Sequence, residues 1–149
     1  MTVQQKATGS TMNAGKRLRD VHVLVVDDHE DAREMLAMVL EGAGARVTQA
    51  ESVRSALRAF DGDDFGIVVS DIGMPEEDGY DLIRRLRTNS SFRAQRVPAV
   101  AVTAFSAPED RKKALTAGFQ EHLGKPVDVP ALLDVVARLA DTRPDSSIT

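Results

Sequence analysis

A chain of 149 residues with 23 acidic and 19 basic side chains, a formal charge of −4 and 42% apolar residues has the composition of an ordinary soluble globular protein. It is long enough for a single core burying roughly 68–70% of the unfolded surface, so it needs no disulfide or structural metal. The absence of cysteine excludes thiol catalysis, Cys-ligated zinc and a disulfide framework, and points to a reducing, cytoplasmic setting. With no signal-peptide core before Asp20 and no apolar run of about 18 residues, neither export nor membrane spanning is expected.

The charge is unevenly spread. Lys6, Lys16, Arg17 and Arg19 stand without an acid before residue 20, and Asp141, Arg143 and Asp145 fall in the last nine residues. Taking those tails of +4 and −1 from the total of −4 leaves −7 for residues 20–140. Both ends are too poor in apolar side chains to offset their ordering entropy. Residues 1–19 and 142–149 are therefore expected to be flexible tails around one domain over 20–141. A basic arm suits nucleic acid or anionic lipid, but four dispersed charges without interleaved aromatics read as a solvated tail.

Between the tails, strand and helix patterns alternate. Val21 to Val26 is a short β-branched run ending in acids, which reads as a buried strand. Met35, Leu36, Val39, Leu40 and Ala43 then recur at helical spacing, closed by Gly42 and Gly44. Arg46 to Ala50 is a weaker strand, and Val53, Ala56, Leu57 and Phe60 mark a second helix that stops at Asp61-Gly62-Asp63-Asp64. Ile67 to Val69 is a third strand. After the turn sequence Met74 to Gly79, Leu82, Ile83 and Leu86 mark a third helix. Ala99 to Val102 is a fourth strand. Ser106 with Glu109 predicts a capping box, with Pro108 in the first turn, opening a helix to Ala117 whose apolar stripe is thin. A last strand near Glu121 to Leu123 precedes the most regular helical stripe, from Val129 to Ala140.

Five strands alternating with five helices require right-handed crossovers and a parallel sheet covered on both faces, a doubly wound α/β domain. Ligands bind such sheets beyond the carboxyl ends of the strands, where strand order reverses. The residues that follow each apolar run there are Asp27 and Asp28, Asp71, Thr103 and Lys125. Carboxylates on neighbouring strands repel by roughly 4 kcal/mol per close pair at an effective dielectric of 20. Such a cluster suits Mg²⁺ (or Mn²⁺), which takes carboxylate oxygens and bridges to phosphate. With a hydroxyl and an ammonium opposite, the set suits a phosphoryl group. Singly, each residue has an ordinary reading: Asp27 or Asp28 as a helix N-cap, Thr103 as a strand end, Lys125 as a surface lysine. Their joint occurrence is what points to chemistry.

The segments VLVVDD ending at Asp28, SDIGMPEEDG over Ser70 to Gly79, Val102-Thr103-Ala104 and Gly124-Lys125-Pro126 resemble the receiver domain of two-component response regulators over about residues 20–141. The resemblance implies a flavodoxin-like (βα)5 fold with strand order 2-1-3-4-5. It implies Asp71 as acceptor of a phosphoryl group from a phosphohistidine, and Asp27, Asp28, Asp71 and the backbone carbonyl of Gly73 as ligands of Mg²⁺. Thr103 and Lys125 would hold the phosphoryl group, Ala104 would leave access for the donor, and Pro126 would follow a cis peptide bond. The implied donor is a histidine kinase or histidine phosphotransfer protein, acting on a monomer or weak dimer without membrane or nucleic-acid partners.

Two positions depart from the family. His122 stands where Tyr or Phe is usual, and reads either as a surface histidine or as a switch coupled to phosphorylation. Gly73 replaces a larger or polar side chain, leaving attacking water less obstructed or less oriented.

The resulting expectation is a phosphorylation-controlled signalling domain that assists its own phosphorylation and dephosphorylation without turning over an external substrate. An aspartyl-phosphate phosphohydrolase is disfavoured because Gly73 stands where such enzymes place a second Asp. A degenerate receiver serving as an interaction module is the other alternative. A flavin module would need hydroxyl residues where this chain has acids, and a nucleotide switch would need a G-x-x-x-x-G-K-[ST] segment, which the sequence lacks. Only nine residues follow Ala140, so no DNA-binding output domain is expected on this chain. A stand-alone regulator and the receiver of a hybrid kinase both fit.

Overall fold

The computed structural model describes residues 17–140. Its five strands are β1 (His22–Val26), β2 (Arg46–Ala50), β3 (Ile67–Asp71), β4 (Ala99–Thr103) and β5 (Glu121–Gly124), all parallel, in the order β2-β1-β3-β4-β5. Its helices are α1 (Glu30–Gly42), α2 (Val53–Gly62), α3 (Gly79–Arg87), α4 (Phe92–Arg96), α5 (Pro108–Ala117) and α6 (Val129–Ala140). This is the flavodoxin-like arrangement, and the order reverses between β1 and β3. None of the helices is long and apolar enough to cross a membrane.

Successive strand residues point to opposite faces, which divides the core into two layers. Leu24, Val26, Val68, Ala99 and Ala101 pack with Val53, Phe60, Leu82, Ile83, Leu86, Ala94 and Ala114, so α2 to α5 cover one face. Val23, Val25, Ile67, Val69, Val100 and Val102 pack with Leu36, Leu40, Leu132, Val136 and Leu139, so α1 and α6 cover the other. β1, β3 and β4 are buried throughout, while the edge strand β2 is partly exposed. Near-continuous apolar runs are what a parallel sheet covered on both sides requires.

Four local features differ from the sequence expectation. Leu18 is fully buried, its N–H bonded to the Ala43 carbonyl at 2.9 Å, and Arg17 pairs with Asp134 on α6. The packed chain therefore begins before residue 20, because one apolar side chain and one ion pair dock this end on α1 and α6. Residues 1–16 of the expected first tail, and the expected second tail at 142–149, lie outside the described residues. The second feature is α4, a sixth helix not anticipated. It is five residues long, buries only Ala94, and is tied down by Arg87, whose guanidinium donates to the carbonyls of Ala94, Gln95 and Gly118. One buried residue carries no periodicity to read.

The third difference is at α5. Ser106 is not its cap: Ala107 holds the N-cap position, and the Asp110 carboxylate accepts from the Ala107 N–H at 3.2 Å. Alanine has no side-chain oxygen, so only this reciprocal half of a capping box can form. The complete boxes lie elsewhere, Ser52 with Ser55 opening α2 and Asp78 with Asp81 opening α3. The fourth is His122, whose surface reading fails because it is buried in β5. The thin stripe expected for α5 is observed, with Ala114 its one buried residue.

Gly79 ties α3 to the end of β3. A Cβ there would lie 2.5 Å from the Asp71 carbonyl oxygen and 2.8 Å from the Ile72 Cα, both backbone atoms that cannot step aside. Gly79→Ala is expected to cost about 1–3 kcal/mol, read as a lower urea midpoint. Gly42→Ala, with nothing within 4 Å of the added methyl, is expected to be neutral or stabilising in the same measurement.

Candidate functional site

Parallel pairing brings the carboxyl ends of β1, β3, β4 and β5 to one edge, and the residues that follow them meet there. Asp27 is fully buried, and its N–H continues the ladder to the Ala50 carbonyl at 3.1 Å. Its Oδ1 accepts from the His29 N–H at 2.9 Å, which turns the chain into α1. Asp71 closes β3, its Oδ1 accepting from the Ile72 N–H at 2.8 Å. Lys125, just past β5, places Nζ 3.2 Å from Asp27 Oδ2 and 3.7 Å from Asp71 Oδ2. Lys125 is held by its own N–H, which donates to the Thr103 carbonyl at 2.9 Å, and the peptide bond that follows, to Pro126, is cis.

Ligand atoms of Asp27, Asp28, His29 and Asp71 lie within 4.8 Å of one another. Asp28 Oδ1 is buried without a hydrogen-bond partner among the described residues, although the His29 Nδ1 lies 3.4 Å away. A buried carboxylate oxygen without a donor costs several kcal/mol, and a divalent cation held by carboxylate oxygens removes that cost. The donor set therefore fits Mg²⁺, a hard ion that takes oxygen ligands. His29 was not among the sequence candidates. Its adjacency to the two acids was the available signal, but at 70% side-chain exposure and with a nitrogen donor it is the least suited of the four to that ion.

Thr103 is buried at the end of β4, and its Oγ1 accepts from the Phe105 N–H at 3.1 Å. The Phe105 carbonyl accepts from His122 Nε2 at 3.0 Å. One residue, Phe105, is thus held at its N–H by Thr103 and at its carbonyl by His122. Phe105 is 60% exposed, and the edge of its ring approaches Gly73, with Cε2 3.4 Å from where a Cβ on that glycine would sit. Phe105 was also missed, because an aromatic after a strand carries no distinctive pattern. Ala104 is exposed beside it. The structure sets Asp27, Asp28, Asp71 and Lys125 against one another, ends β4 on Thr103 at the same edge, and links His122 to Thr103 through Phe105, with Gly73 next to that phenylalanine.

Burial raises the Asp71 carboxyl above its ordinary value. The Lys125 ammonium works against this, Asp27 adds to it, and the N–H groups of Ile72 and Gly73 work against it. A carboxyl raised on folding favours the folded state below the unfolded value, and that advantage is lost as pH rises through the folded one. Ionised Asp71 therefore costs stability near neutrality when no divalent cation is present. In EDTA, Asp71→Asn is expected to raise the urea midpoint near neutral pH, with the gain shrinking as pH falls toward about 4. A midpoint lowered near neutrality would contradict this balance.

A buried acid cluster at the switch point of a five-stranded parallel sheet is the arrangement of a site for a divalent cation and a phosphoryl group. A family model described as the response regulator receiver domain matches residues 23–137, and the chain belongs to that family. It is 41% identical over 119 residues to an uncharacterized 14.6 kDa protein of Leptolyngbya boryana, covering 80% of this chain and 89% of that one. It is 35% identical over 124 residues to the sensory/regulatory protein RpfC of Xanthomonas campestris, covering 83% of this chain but 17% of that one. Among solved structures, the receiver domain of the sensor histidine kinase PA1611 of Pseudomonas aeruginosa superposes with a TM-score of 0.74 at 27% identity. That match covers 82% of this chain and 98% of the other, and that structure has a magnesium ion coordinated in its active-site cleft.

Proposed function

We propose that the chain is the phosphoacceptor of a two-component or phosphorelay system, with Asp71 as the accepting residue. The observation that carries the reading is the placement of the Lys125 ammonium against both Asp27 and Asp71, a fixed cation beside the carboxylate that would become an acyl phosphate. In the transfer, a carboxylate oxygen of ionised Asp71 bonds to phosphorus as the P–N bond of a phosphohistidine breaks, and the electron pair leaves with the imidazole nitrogen. Because Oδ1 is occupied by the Ile72 N–H, Oδ2, on the Lys125 side, is the freer oxygen for attack. Asp27, Asp28, Asp71 and the Gly73 carbonyl would hold Mg²⁺ or Mn²⁺. Bound there, the ion supplies charge neutralisation for the carboxylates and the phosphoryl oxygens.

Lys125 pairs with the phosphoryl oxygens on the other flank. The Thr103 hydroxyl has its oxygen engaged by Phe105 and its proton free to donate to them. Drawing Thr103 toward the phosphoryl group pulls on Phe105, whose other end is held by His122, and this moves the loop leading into α5. The thin packing of α5 makes it a low-cost element to shift, so α5, β5 and α6 form the responding surface. The donor is a histidine kinase or a phosphotransfer protein, in keeping with the kinase origin of the PA1611 receiver. The chain acts as a signalling module that hydrolyses only its own acyl phosphate, in a cytoplasmic setting.

Incubation with acetyl phosphate and Mg²⁺ is expected to add about 80 Da by intact mass, and the adduct is expected to be absent in Asp71→Ala and with EDTA. No adduct under conditions that label another receiver would overturn the assignment and leave a degenerate interaction module. With its ring edge beside Gly73, Phe105 would limit the approach of water to the acyl phosphate. Phe105→Ala is expected to shorten its lifetime about fivefold, a barrier change of about 1 kcal/mol, with labelling retained. His122→Ala is expected to leave labelling intact but to abolish the phosphorylation-dependent change in α5 amide shifts; an unchanged response would remove His122 from the switch.

A further inference from the structure

One group beside the acids takes no part in the chemistry proposed above, the imidazole of His29. His29 holds the N-cap position of α1, where its backbone N–H donates to Asp27 Oδ1 at 2.9 Å, but its side chain does not cap the helix. The ring is 70% exposed, and its Nδ1 stands 3.5 Å from Asp27 Oδ1 and 3.4 Å from Asp28 Oδ1. Both separations exceed the roughly 2.7–3.2 Å of an N–H···O hydrogen bond. They match a different geometry. Ligand atoms about 2.0–2.1 Å from a tetrahedral zinc ion stand roughly 3.3–3.4 Å apart, so the nitrogen and either oxygen can be neighbouring ligands of one such ion.

The surroundings leave these two oxygens available. Lys125 holds Asp27 through the other oxygen, Oδ2, and Asp28 Oδ1 is buried with no hydrogen-bond partner among the described residues. The three donors are consecutive residues in the turn from β1 to α1, and that turn is fixed at both ends. The Asp27 N–H joins the ladder to Ala50, while Arg33 donates its own N–H to the His29 carbonyl at 2.9 Å and its guanidinium to the Asp27 carbonyl at 3.0 Å. A backbone held in this way lowers the cost of assembling the ligands around an ion.

A ring nitrogen changes which ion the set prefers. Mg²⁺ is hard, takes oxygen ligands and parts reluctantly with its water, whereas Zn²⁺ and the neighbouring borderline ions take imidazole readily and bind mixed N/O sites more tightly. The rest of the chain offers such an ion little. It has no cysteine and three histidines, of which His22 and His122 are buried and hydrogen-bonded.

We propose that His29 Nδ1, Asp27 Oδ1 and Asp28 Oδ1 form a site for a borderline transition ion such as Zn²⁺, with water in the remaining position, and that this ion competes with Mg²⁺ for the two carboxylates. The identity of the ion, and not only its presence, then sets the state of the acid site. The competition rests on the Mg²⁺ site proposed above; the zinc site rests on His29.

The test titrates ZnCl₂ into the full chain against a chromophoric zinc indicator, with CoCl₂ as a spectroscopic substitute whose visible band reports nitrogen ligation and coordination number. Zinc is expected to shift the amides of residues 27–29. His29→Ala is expected to lose at least about tenfold in zinc affinity, and the ratio of zinc to magnesium affinity is expected to fall with it. His29→Lys, which keeps a cationic side chain beside the acids without a ring nitrogen, is expected to lose zinc in the same way, whereas Asp28→Asn is expected to weaken both ions. Magnesium is read separately, as the rise in urea midpoint that MgCl₂ produces, and added MgCl₂ is expected to weaken the apparent zinc affinity of the parent. Unchanged zinc affinity in His29→Ala, a cobalt spectrum of oxygen ligands alone, or amide shifts centred away from residues 27–29 would overturn the zinc site while leaving a measured magnesium effect intact. A magnesium effect on the midpoint with no effect on zinc affinity overturns the competition. If MgCl₂ moves neither, the magnesium reading fails with the competition, and the zinc site stands or falls on His29→Ala.

Discussion

The Lys125 ammonium, set between the carboxylates of Asp27 and Asp71, is the contact on which the rest of this molecule turns. Three carboxylates whose oxygens crowd within 4.8 Å repel one another, and this cation, delivered from the opposite side of the switch point, offsets part of that repulsion within the chain itself. It arrives only because β5 pairs with β4 in a register that sets Gly124 against Thr103. Gly124 matters at this step: a Cβ there would fall 2.9 Å from the Ser106 side chain, so the strand end and the loop after β4 can approach this closely only without one.

The same edge holds a balance that favours change. Burial works against the ionised form of Asp71 while Lys125 and two backbone N–H groups support it, and Asp28 retains a buried oxygen without a donor. A site left partly unsatisfied in this way suits a divalent cation, which replaces repulsion among the carboxylates with attraction. Phe105 is held at its N–H by Thr103 and at its carbonyl by His122, in the loop that leads into α5, a helix whose one buried residue is Ala114. The opposing helix, α3, is anchored to β3 through Gly79.

Much of this was legible in the order of residues. The strands lie within a residue or two of where β-branched runs placed them, because a parallel sheet buried on both faces leaves long apolar signals. The four segments that resemble receiver domains named the acid cluster, the hydroxyl and the lysine, and the structure brings all of them to one edge. What escaped was local and short. Helix α4 is held by Arg87 rather than by an apolar stripe. The opening of α5 is settled by Asp110 rather than by the Ser106 and Glu109 pair, because the cap geometry depends on where Pro108 places the first turn. Leu18 reads as part of a polar tail until α1 and α6 supply the pocket that buries it.

The sequence by itself determined the doubly wound α/β class and the chemical identity of the groups at the strand ends, since both follow from hydrophobic periodicity and from which polar residues stop each run. Only the tertiary structure decided which of those groups touch. The distance from Lys125 to Asp27 spans 98 positions along the chain, and the burial of His122 depends on a carbonyl offered by a loop 17 residues earlier. A groove between α3 and α5 exists only because two helices are set side by side. Contacts of that range are fixed by sheet order and register, and no local pattern encodes them.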